Sequence, residues 1–276
     1  MNSQDRDSRA HRFRQLHESG SFIIANAWDG GSARMLTSLG FAALATSSGA
    51  AAGTLGRLDH GITLEESLAN AKLICDSTEL PVSGDLEKGF GDAPADAARA
   101  IRHAADIGLV GGSIEDRSGD PAAPIFDLAL ATERVAAAVE AARALPFPFT
   151  LTARAENFLN GRPDLDDTIR RLQAYERAGA DVLFAPALPD LAAVRAVCSA
   201  VSKPVNFMVG IPGKSFSVAE LTAAGVRRIS LATSLWRASM SGFIHAAREI
   251  RDSGTFGYLD RLVPAAEFNG YMKKPT

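Results

Sequence analysis

The sequence has few cysteines, no long apolar run and no excess of positive charge. Its 276 residues include only Cys75 and Cys198, which lie in segments of helical pattern without metal-ligand spacing. We therefore expect small buried thiols in a reducing compartment, and neither a disulfide framework nor a zinc site. No run of ~18 apolar residues is present, so no membrane-spanning helix is expected. The formal net charge of −3 lacks the excess of positive charge that is typical of proteins that bind nucleic acid.

Two short motifs are also absent. The first twenty residues are charged throughout and lack the apolar centre of a signal peptide, so we expect a soluble, cytoplasmic protein. The Gly-x-Gly-x-x-Gly fingerprint of a dinucleotide-binding sheet does not follow the first apolar run. The expected partner is therefore a small molecule, without nucleic acid or membrane, and the fold is not expected to be an open dinucleotide-binding sheet.

Eight short apolar runs alternate with eight stretches of helical pattern. The runs cover residues 22–27, 41–46, 80–83, 109–114, 149–153, 181–185, 204–209 and 227–232. Such alternation predicts an α/β fold with a parallel sheet, and eight units in a chain of this length favour a closed (β/α)8 TIM-like barrel. We predict one domain over residues 1–276, with a polar N-terminal helix and a C-terminal helical tail. A loop is expected over 50–61, followed by a helix over 64–77 with Thr63 as its N-cap.

The stretch Gly84–Asp92, GDLEKGFGD, follows the third apolar run and carries two acidic side chains. Residues two apart in an extended chain point to the same side, so Asp85 and Glu87 are expected to reach the same point in space. Two carboxylates this close repel each other unless a cation lies between them or one is protonated. A hard cation such as Mg²⁺ needs only one or two carboxylates. A solvated glycine-rich loop is the alternative interpretation of this motif taken alone.

Further polar residues follow the next two apolar runs. Glu115 directly follows the fourth run, and Arg154 directly follows the fifth. Because active sites of (β/α)8 barrels lie at the C-terminal ends of the strands, these side chains are expected to meet there. Asp85, Glu87 and Glu115 are candidate metal ligands. The planar guanidinium of Arg154 can donate two parallel hydrogen bonds to a carboxylate or phosphate. The pattern predicts a small anion bound next to a metal ion.

The motifs together resemble the phosphoenolpyruvate mutase/isocitrate lyase superfamily, in particular its short members, over nearly the whole chain. The matching stretches are LATSSGAAAGTLGRLDHGIT, GDLEKGFGD, GGSIED, TARAENFL, GADVLFAPAL and ELTAAGVRRISLATSLWRASM, in that order. The resemblance implies a modified (β/α)8 barrel, a bound Mg²⁺ or Mn²⁺ and chemistry through a metal-stabilised pyruvate enolate. It also implies a homodimer or homotetramer in which the last helix is exchanged between subunits. The substrate would be a small α-keto acid or a phosphonate.

The resemblance also assigns roles to individual residues. Asp85 matches the direct metal ligand, while Glu87, Glu115 and Asp59 match acids that hold metal-bound waters. The substrate-binding candidates are Ser47, Ser48 and Gly49 in the loop that cradles the keto acid, and Arg154 on its anionic portion. Asn206 is a further candidate because it stands among the residues predicted at the strand ends. The catalytic candidates are Arg154, Asp59 and Glu115. Glu87 departs from the commoner aspartate of the family, which is expected to shift the geometry of bound water.

Two differences from the sequence motifs of the superfamily leave the type of reaction undecided. The lyases carry a cysteine motif after the fourth strand and the mutases an asparagine, whereas the loop RSGDPAAPIFD contains neither residue. Where the lyases have a glutamate and the mutases a histidine at the sixth strand, this chain has Pro186. The candidate proton carriers are Glu156, His60, Asp116 and Asp120.

Four functional interpretations follow from the sequence. A carbon–carbon lyase or decarboxylase is favoured, because decarboxylation is the reaction that depends least on a general acid. A phosphonomutase and a non-catalytic metal-dependent keto-acid binding protein are the alternatives. A fourth interpretation is an unrelated phosphate-binding barrel that uses residues 225–234.

Overall fold

The computed structural model describes residues 3–273. Eight parallel strands close into a barrel in chain order. They are β1 (Phe22–Asn26), β2 (Ala43–Ala45), β3 (Val82–Asp85), β4 (Gly111–Glu115), β5 (Thr150–Arg154), β6 (Val182–Phe184), β7 (Val205–Met208) and β8 (Arg228–Ser230). Because β1 pairs with both β2 and β8, the described sheet has no free edge. The predicted (β/α)8 barrel is confirmed, while the predicted domain limits, residues 1 and 276, lie outside the described residues.

Helices follow the strands and surround the barrel. They are α1 (Ser3–Gln15), α2 (Gly30–Ser38), α3 (Ser48–Thr54), α4 (Leu64–Ser77), α5 (Pro94–Asp106), α6 (Leu128–Arg143), α7 (Leu165–Arg177), α8 (Leu191–Ala200), α9 (Val218–Ala223), α10 (Ser234–Ser253), a 3₁₀ helix (Gly257–Arg261) and α11 (Ala265–Tyr271). The start of α4 is as predicted: the Thr63 side chain accepts a hydrogen bond from the Glu66 amide, and Glu66 accepts one from the Thr63 amide. This reciprocal pair satisfies two amides that a helix start leaves unpaired.

The helix α1 packs against the barrel wall at β4. Its Phe13 side chain is completely buried and lies against the backbone of Gly111. A Cβ at Gly111 would come within 2.8 Å of both the Phe13 ring and the Thr150 carbonyl oxygen. Glycine is therefore needed at this position because helix and strand approach each other too closely for a side chain.

The segment after β2 differs from the prediction. Residues 50–61 were expected to form a loop, but helix α3 runs through Ser48–Thr54. Its N-cap is Ser47, whose hydroxyl accepts a hydrogen bond from the Ala50 amide at 3.3 Å. Three consecutive alanines give the turn a high helix propensity, and this outweighed the glycines that suggested a loop. The short helix brings residues 47–49 to the mouth of the barrel.

The C-terminal helices leave many apolar side chains exposed. No residue of α10, the 3₁₀ helix or α11 is buried. The exposed apolar residues in this part of the chain are Phe243, Ile244, Ile250, Phe256, Leu259, Leu262, Val263 and Phe268. The exchange of a helix between subunits stays a prediction, because a single chain does not test it. Among the described residues, no helix is both long and apolar enough to cross a membrane.

Candidate active site

A cavity of about 260 Å³ opens at the C-terminal ends of the strands. The predicted residues that line it are Ser47, Ser48, Gly49, Asp59, Asp85, Glu115, Arg154 and Asn206. Glu87 is not among the lining residues. Pockets for drug-sized ligands measure roughly 300–1,000 Å³, so the size of this cavity suits a smaller molecule.

Arg154, at the end of β5, joins three carboxylates inside the cavity. Its Nη1 lies 3.1 Å from Asp85 Oδ1 and 3.2 Å from Glu115 Oε2. Its Nη2 lies 2.7 Å from Glu156 Oε1, and its guanidinium carbon sits 5.1 Å from the centre of the Phe184 ring. The ends of the adjacent strands β3, β4 and β5 therefore converge on one guanidinium group.

The charges in this cluster do not balance. Burial raises the pKa of Glu115 to about 8 and also raises the pKa of Glu156. Burial opposes the charge on Arg154, but Glu156, Glu115 and Asp85 outweigh it and raise the pKa of Arg154. One guanidinium cannot neutralise three carboxylates, so the cluster favours the uptake of protons or of a further cation.

Asp85 is fixed by the turn that starts α3. Its Oδ2 accepts hydrogen bonds from the Ser48 amide at 3.0 Å and from the Ser48 hydroxyl at 2.8 Å. The Asp85 amide donates to Thr46 Oγ1 at 2.8 Å. Both oxygens of Asp85 therefore have partners, since Oδ1 pairs with Arg154. The β2–α3 loop positions the carboxylate that ends β3.

Glu87 faces a different set of neighbours from Asp85. Its φ of 49° takes the chain out of the extended conformation, so the same-side rule for residues two apart does not hold there. Glu87 Oε2 lies 3.4 Å from His60 Nδ1, and this contact is the main reason that the pKa of His60 is raised. The other oxygen, Oε1, is buried and has no hydrogen-bond partner among the described residues.

Asp59, His60 and Glu87 form a candidate metal centre. One ligand atom from each lies within 4.8 Å of the others. Asp59 also lies against Gly49, where an added Cβ would come within 3.0 Å of the carboxylate. The predicted metal ligands are therefore divided: Asp85 and Glu115 contact Arg154, while Glu87 joins Asp59 and His60. The unpaired Glu87 oxygen and the excess of carboxylates fit a divalent cation that prefers oxygen ligands.

The four candidate proton carriers fall into two groups. Glu156 and His60 line the cavity. Asp116 lies behind it, where its Oδ2 accepts hydrogen bonds from Arg171 at 3.0 Å and from the Tyr175 hydroxyl at 2.6 Å. Its Oδ1 accepts from the Glu156 amide at 2.8 Å, which positions Glu156. Asp120 is exposed in the following loop and does not line the cavity.

Sequence reasoning missed Arg228, at the start of β8. Its Nε donates to Asn206 Oδ1 at 2.8 Å and its Nη2 donates to Thr152 Oγ1 at 2.9 Å. Arg228 is only 5% exposed, and it lines the cavity together with Asn206. An arginine inside a buried strand is rare enough to have drawn attention to this position in the sequence.

Comparisons with known proteins identify the family. A closed parallel barrel with a buried acidic cavity at its strand ends is the architecture of a TIM-barrel enzyme. Residues 13–251 match the family described as phosphoenolpyruvate phosphomutase. The chain therefore belongs to the phosphoenolpyruvate mutase/isocitrate lyase superfamily. This membership overturns the interpretation as an unrelated phosphate-binding barrel.

Three relatives illustrate the range of this superfamily. A Burkholderia cenocepacia J2315 structure, described without a defined reaction as a lyase/mutase, shares 49% identity and a TM-score of 0.96, covering 98% of both chains. Escherichia coli K12 2-methylisocitrate lyase is 33% identical over 216 residues, covering 75% of this chain and 72% of the relative. Oxaloacetate acetylhydrolase in complex with oxalate is 25% identical with a TM-score of 0.86, covering 96% of this chain and 94% of the other. The chain is thus an enzyme with carbon–carbon lyase or phosphonomutase activity.

Proposed function

We propose that this enzyme uses Mg²⁺ or Mn²⁺ to cleave or form a carbon–carbon bond next to a small α-keto acid, through an enolate. The observation that carries the proposal is the convergence of Asp85, Glu115 and Glu156 on Arg154 inside a cavity of about 260 Å³. Such a cavity has positive and negative groups within reach of a small anion and a cation. Superfamily membership supports the same chemistry.

The proposed metal ligands are Asp85, Glu87 and Glu115, and Asp59 lies beside Glu87. When bound, the metal ion would supply Lewis-acid stabilisation of negative charge on the keto oxygen of the substrate. The Ser48 amide and hydroxyl hold Asp85 in position for this role. Glu87 contributes a buried oxygen that has no other described partner.

The substrate is proposed to lie between the β2–α3 loop and Arg154. Ser47, Ser48 and Gly49 border one side of the cavity, and Asn206 borders another. The positive charge of Arg154 is the proposed partner of the carboxylate of the keto acid. Arg154, Asp59 and Glu115 are the proposed catalytic residues. Glu156 and His60, which line the cavity, are the proposed proton carriers.

The bond that the enzyme acts on is proposed to be a carbon–carbon bond. The named relatives include a 2-methylisocitrate lyase and an oxaloacetate acetylhydrolase, and both names support cleavage of a carbon–carbon bond. The family name favours a second candidate, phosphonomutase chemistry on a carbon–phosphorus bond. The loop of residues 117–127 has no asparagine to handle a migrating phosphoryl group, so we place the lyase first.

A turnover assay tests the proposal. Oxaloacetate, 2-methylisocitrate, 2,3-dimethylmalate and phosphonopyruvate are each incubated with the protein and Mg²⁺, and the products are followed by NMR. We expect at least one acid to release a keto acid or oxalate, and a metal chelator to stop the release. Phosphorus transfer from phosphonopyruvate alone would favour the mutase. Turnover that continues unchanged in the chelator would contradict the metal requirement.

We further propose that the enzyme is a homodimer or homotetramer in the cytoplasm, with the C-terminal helices exchanged between subunits. Exposed apolar residues on α10, the 3₁₀ helix and α11 support it, since such surface is usually covered in an assembly. These exposed apolar residues all lie between Phe243 and Phe268 in the sequence.

A further inference from the structure

The loop between β3 and α5 holds two residues with side chains in a rarely adopted backbone conformation. This β3–α5 loop covers residues 86–93. Glu87 has a φ of 49°, Phe90 has a φ of 58°, and Gly89 between them has a φ of 86°. A positive φ is uncommon for any residue other than glycine, because the Cβ atom comes too close to a carbonyl oxygen. The loop therefore needs contacts elsewhere that hold it in this shape.

Both of these residues turn their side chains towards the segment that follows β2. Glu87 Oε2 lies 3.4 Å from His60 Nδ1. The Phe90 side chain packs against a small apolar cluster in α3 and the segment after it, formed by Ala51, Ala52 and Ile62. The shape of the β3–α5 loop therefore determines how the loop meets the segment that carries Ser48 and Asp59.

Arg134, on α6, holds the loop by its backbone. The Arg134 side chain is 1% exposed and donates hydrogen bonds to four backbone carbonyls of the loop, those of Lys88, Gly91, Asp92 and Ala93. Its guanidinium carbon also lies 4.6 Å from the centre of the Phe126 ring. The bonded carbonyls extend from residue 88 to residue 93, so one guanidinium group fixes most of the loop.

The side chain and the loop depend on each other. A buried guanidinium is costly unless its donors find partners, and a loop has backbone carbonyls that no helix or strand occupies. Removal of the Arg134 side chain would leave several carbonyls without their partner. We therefore expect the loop to lose its conformation when Arg134 is replaced, and the uncommon φ values of Glu87 and Phe90 to relax.

We propose that Arg134 is a positioning residue for the candidate metal centre, because it keeps the β3–α5 loop in the conformation that directs Glu87 towards Asp59 and His60. The connection runs through Lys88, the residue next to Glu87, whose carbonyl accepts a hydrogen bond from Arg134 Nη2. This inference rests on the proposed function, in which Glu87 is a metal ligand. Arg134 does not line the cavity, so its effect on metal binding is indirect.

A double-mutant cycle with Glu87 tests this role through Mn²⁺ binding, measured by calorimetry without substrate. Glu87→Gln removes the charge and keeps the shape, and Arg134→Met removes the guanidinium and keeps an unbranched stem. We expect each variant to bind Mn²⁺ about tenfold more weakly than wild type, as is usual when a group that orients a ligand is lost. If Arg134 acts through Glu87, the combined variant binds Mn²⁺ within about twofold of Glu87→Gln, because coupled effects do not add.

Arg143→Met is the matched control for the loss of a guanidinium. Arg143 also lies on α6 and also donates to backbone carbonyls, those of Phe149 and Gly179, but its described partners all lie outside the β3–α5 loop. We expect both arginine variants to unfold at a lower temperature than wild type, and only Arg134→Met to bind Mn²⁺ more weakly.

Arg134→Lys takes the place of Arg134→Met in the cycle if the methionine variant does not fold. Lysine keeps the charge but lacks the planar group that reaches several carbonyls at once, so we expect Mn²⁺ binding about threefold weaker than wild type. The coupling to Glu87→Gln is judged in the same way as for the methionine variant.

The outcomes separate this role from the proposed function. Mn²⁺ binding that is weakened in Glu87→Gln but unchanged in the Arg134 variant overturns the positioning role alone. Additive losses in the combined variant also overturn it, because Arg134 then stabilises the fold without acting through Glu87. Unchanged Mn²⁺ affinity in Glu87→Gln removes Glu87 from the proposed ligands and overturns the positioning role with it. A wild-type protein that binds no Mn²⁺ overturns the proposed function as well.

Discussion

Arg154 Nη1 lies 3.1 Å from Asp85 Oδ1, so the guanidinium at the end of β5 neutralises the carboxylate at the end of β3. The same Nη1 contacts Glu115 at 3.2 Å. A divalent cation bound to Asp85 and Glu115 would compete with Arg154 for their oxygens. The ion pair therefore links cation binding to the position of the anion-binding arginine.

Replacing Arg154 tests this link. We expect Arg154→Gln to weaken oxalate binding about 100-fold or more, because the charged partner of the anion is lost. Without an anion, the same variant is expected to bind Mn²⁺ about tenfold more tightly, because a competing positive charge is removed. Calorimetry with Mn²⁺ and with oxalate measures both effects. Arg170→Gln, at an exposed arginine of α7, is the control, and unchanged oxalate affinity in Arg154→Gln would contradict the prediction.

The adjacent serines 47 and 48 are predicted to act differently. Ser47→Ala removes the N-cap of α3 and is expected to lower the free energy of unfolding by about 1 kcal/mol. Ser48→Ala removes a hydroxyl bond to Asp85, and we expect it to weaken Mg²⁺-dependent oxalate binding several-fold. Urea unfolding and calorimetry on both variants measure the two effects. Equal loss of oxalate affinity and no stability difference would show that the assigned contacts are wrong.

His17 is predicted to make the protein sensitive to acid. Burial, and then the charge of Arg228, lower the pKa of His17 to about 3 from its ordinary 6.5. Between these values the unfolded chain binds a proton that the folded chain does not, so stability falls as the pH falls from about 6.5 towards 3. The slope contributed by one such group reaches about 1.4 kcal/mol per pH unit.

Substitution of His17 measures that slope directly. We expect His17→Leu to flatten the dependence of the unfolding free energy on pH between about 6 and 4, whatever its effect on absolute stability. His103→Leu is the control, since His103 is exposed on α5. Urea titrations at several pH values give the slopes. Parallel slopes for wild type and His17→Leu would rule out the assigned role.

The exposed C-terminal surface is predicted to hold subunits together. Phe243 is 67% exposed and Leu262 is 59% exposed in the single chain. We expect Phe243→Ser combined with Leu262→Ser to give smaller particles than wild type, because the buried apolar contact is lost. Light scattering after size exclusion measures the mass. Leu73→Ser, at an exposed leucine of α4, is the control, and an unchanged mass in the double variant would contradict the assembly.

Much of the fold follows from patterns that the sequence shows directly. Apolar runs separated by amphipathic stretches determine the eight strands, because parallel strands are buried on both faces. The Thr63 cap of α4 was predictable because its capping box is local in sequence. Helix α3 was not predicted, because the propensity of its alanines competes with the glycines on either side.

The active site was predicted less completely than the fold. Asp85, Glu115 and Arg154 lie together because each ends its strand, and strand ends can be recognised from the sequence. The separation of Glu87 from Asp85 depends on a positive φ at a non-glycine residue, which alternation rules do not anticipate. Arg228 was missed because its role depends on reaching across the barrel to Thr152, a contact between residues far apart in the chain.

Calorimetry of oxalate binding with and without Mg²⁺, on wild type and on Asp85→Asn, tests whether the cavity binds an anion together with a metal ion held by Asp85. Asp120→Asn serves as the control, because Asp120 is exposed and does not line the cavity. We expect tight binding by wild type and the control only when Mg²⁺ is present, and at least about 100-fold weaker binding by Asp85→Asn. Oxalate binding that is independent of both Mg²⁺ and Asp85 would contradict it.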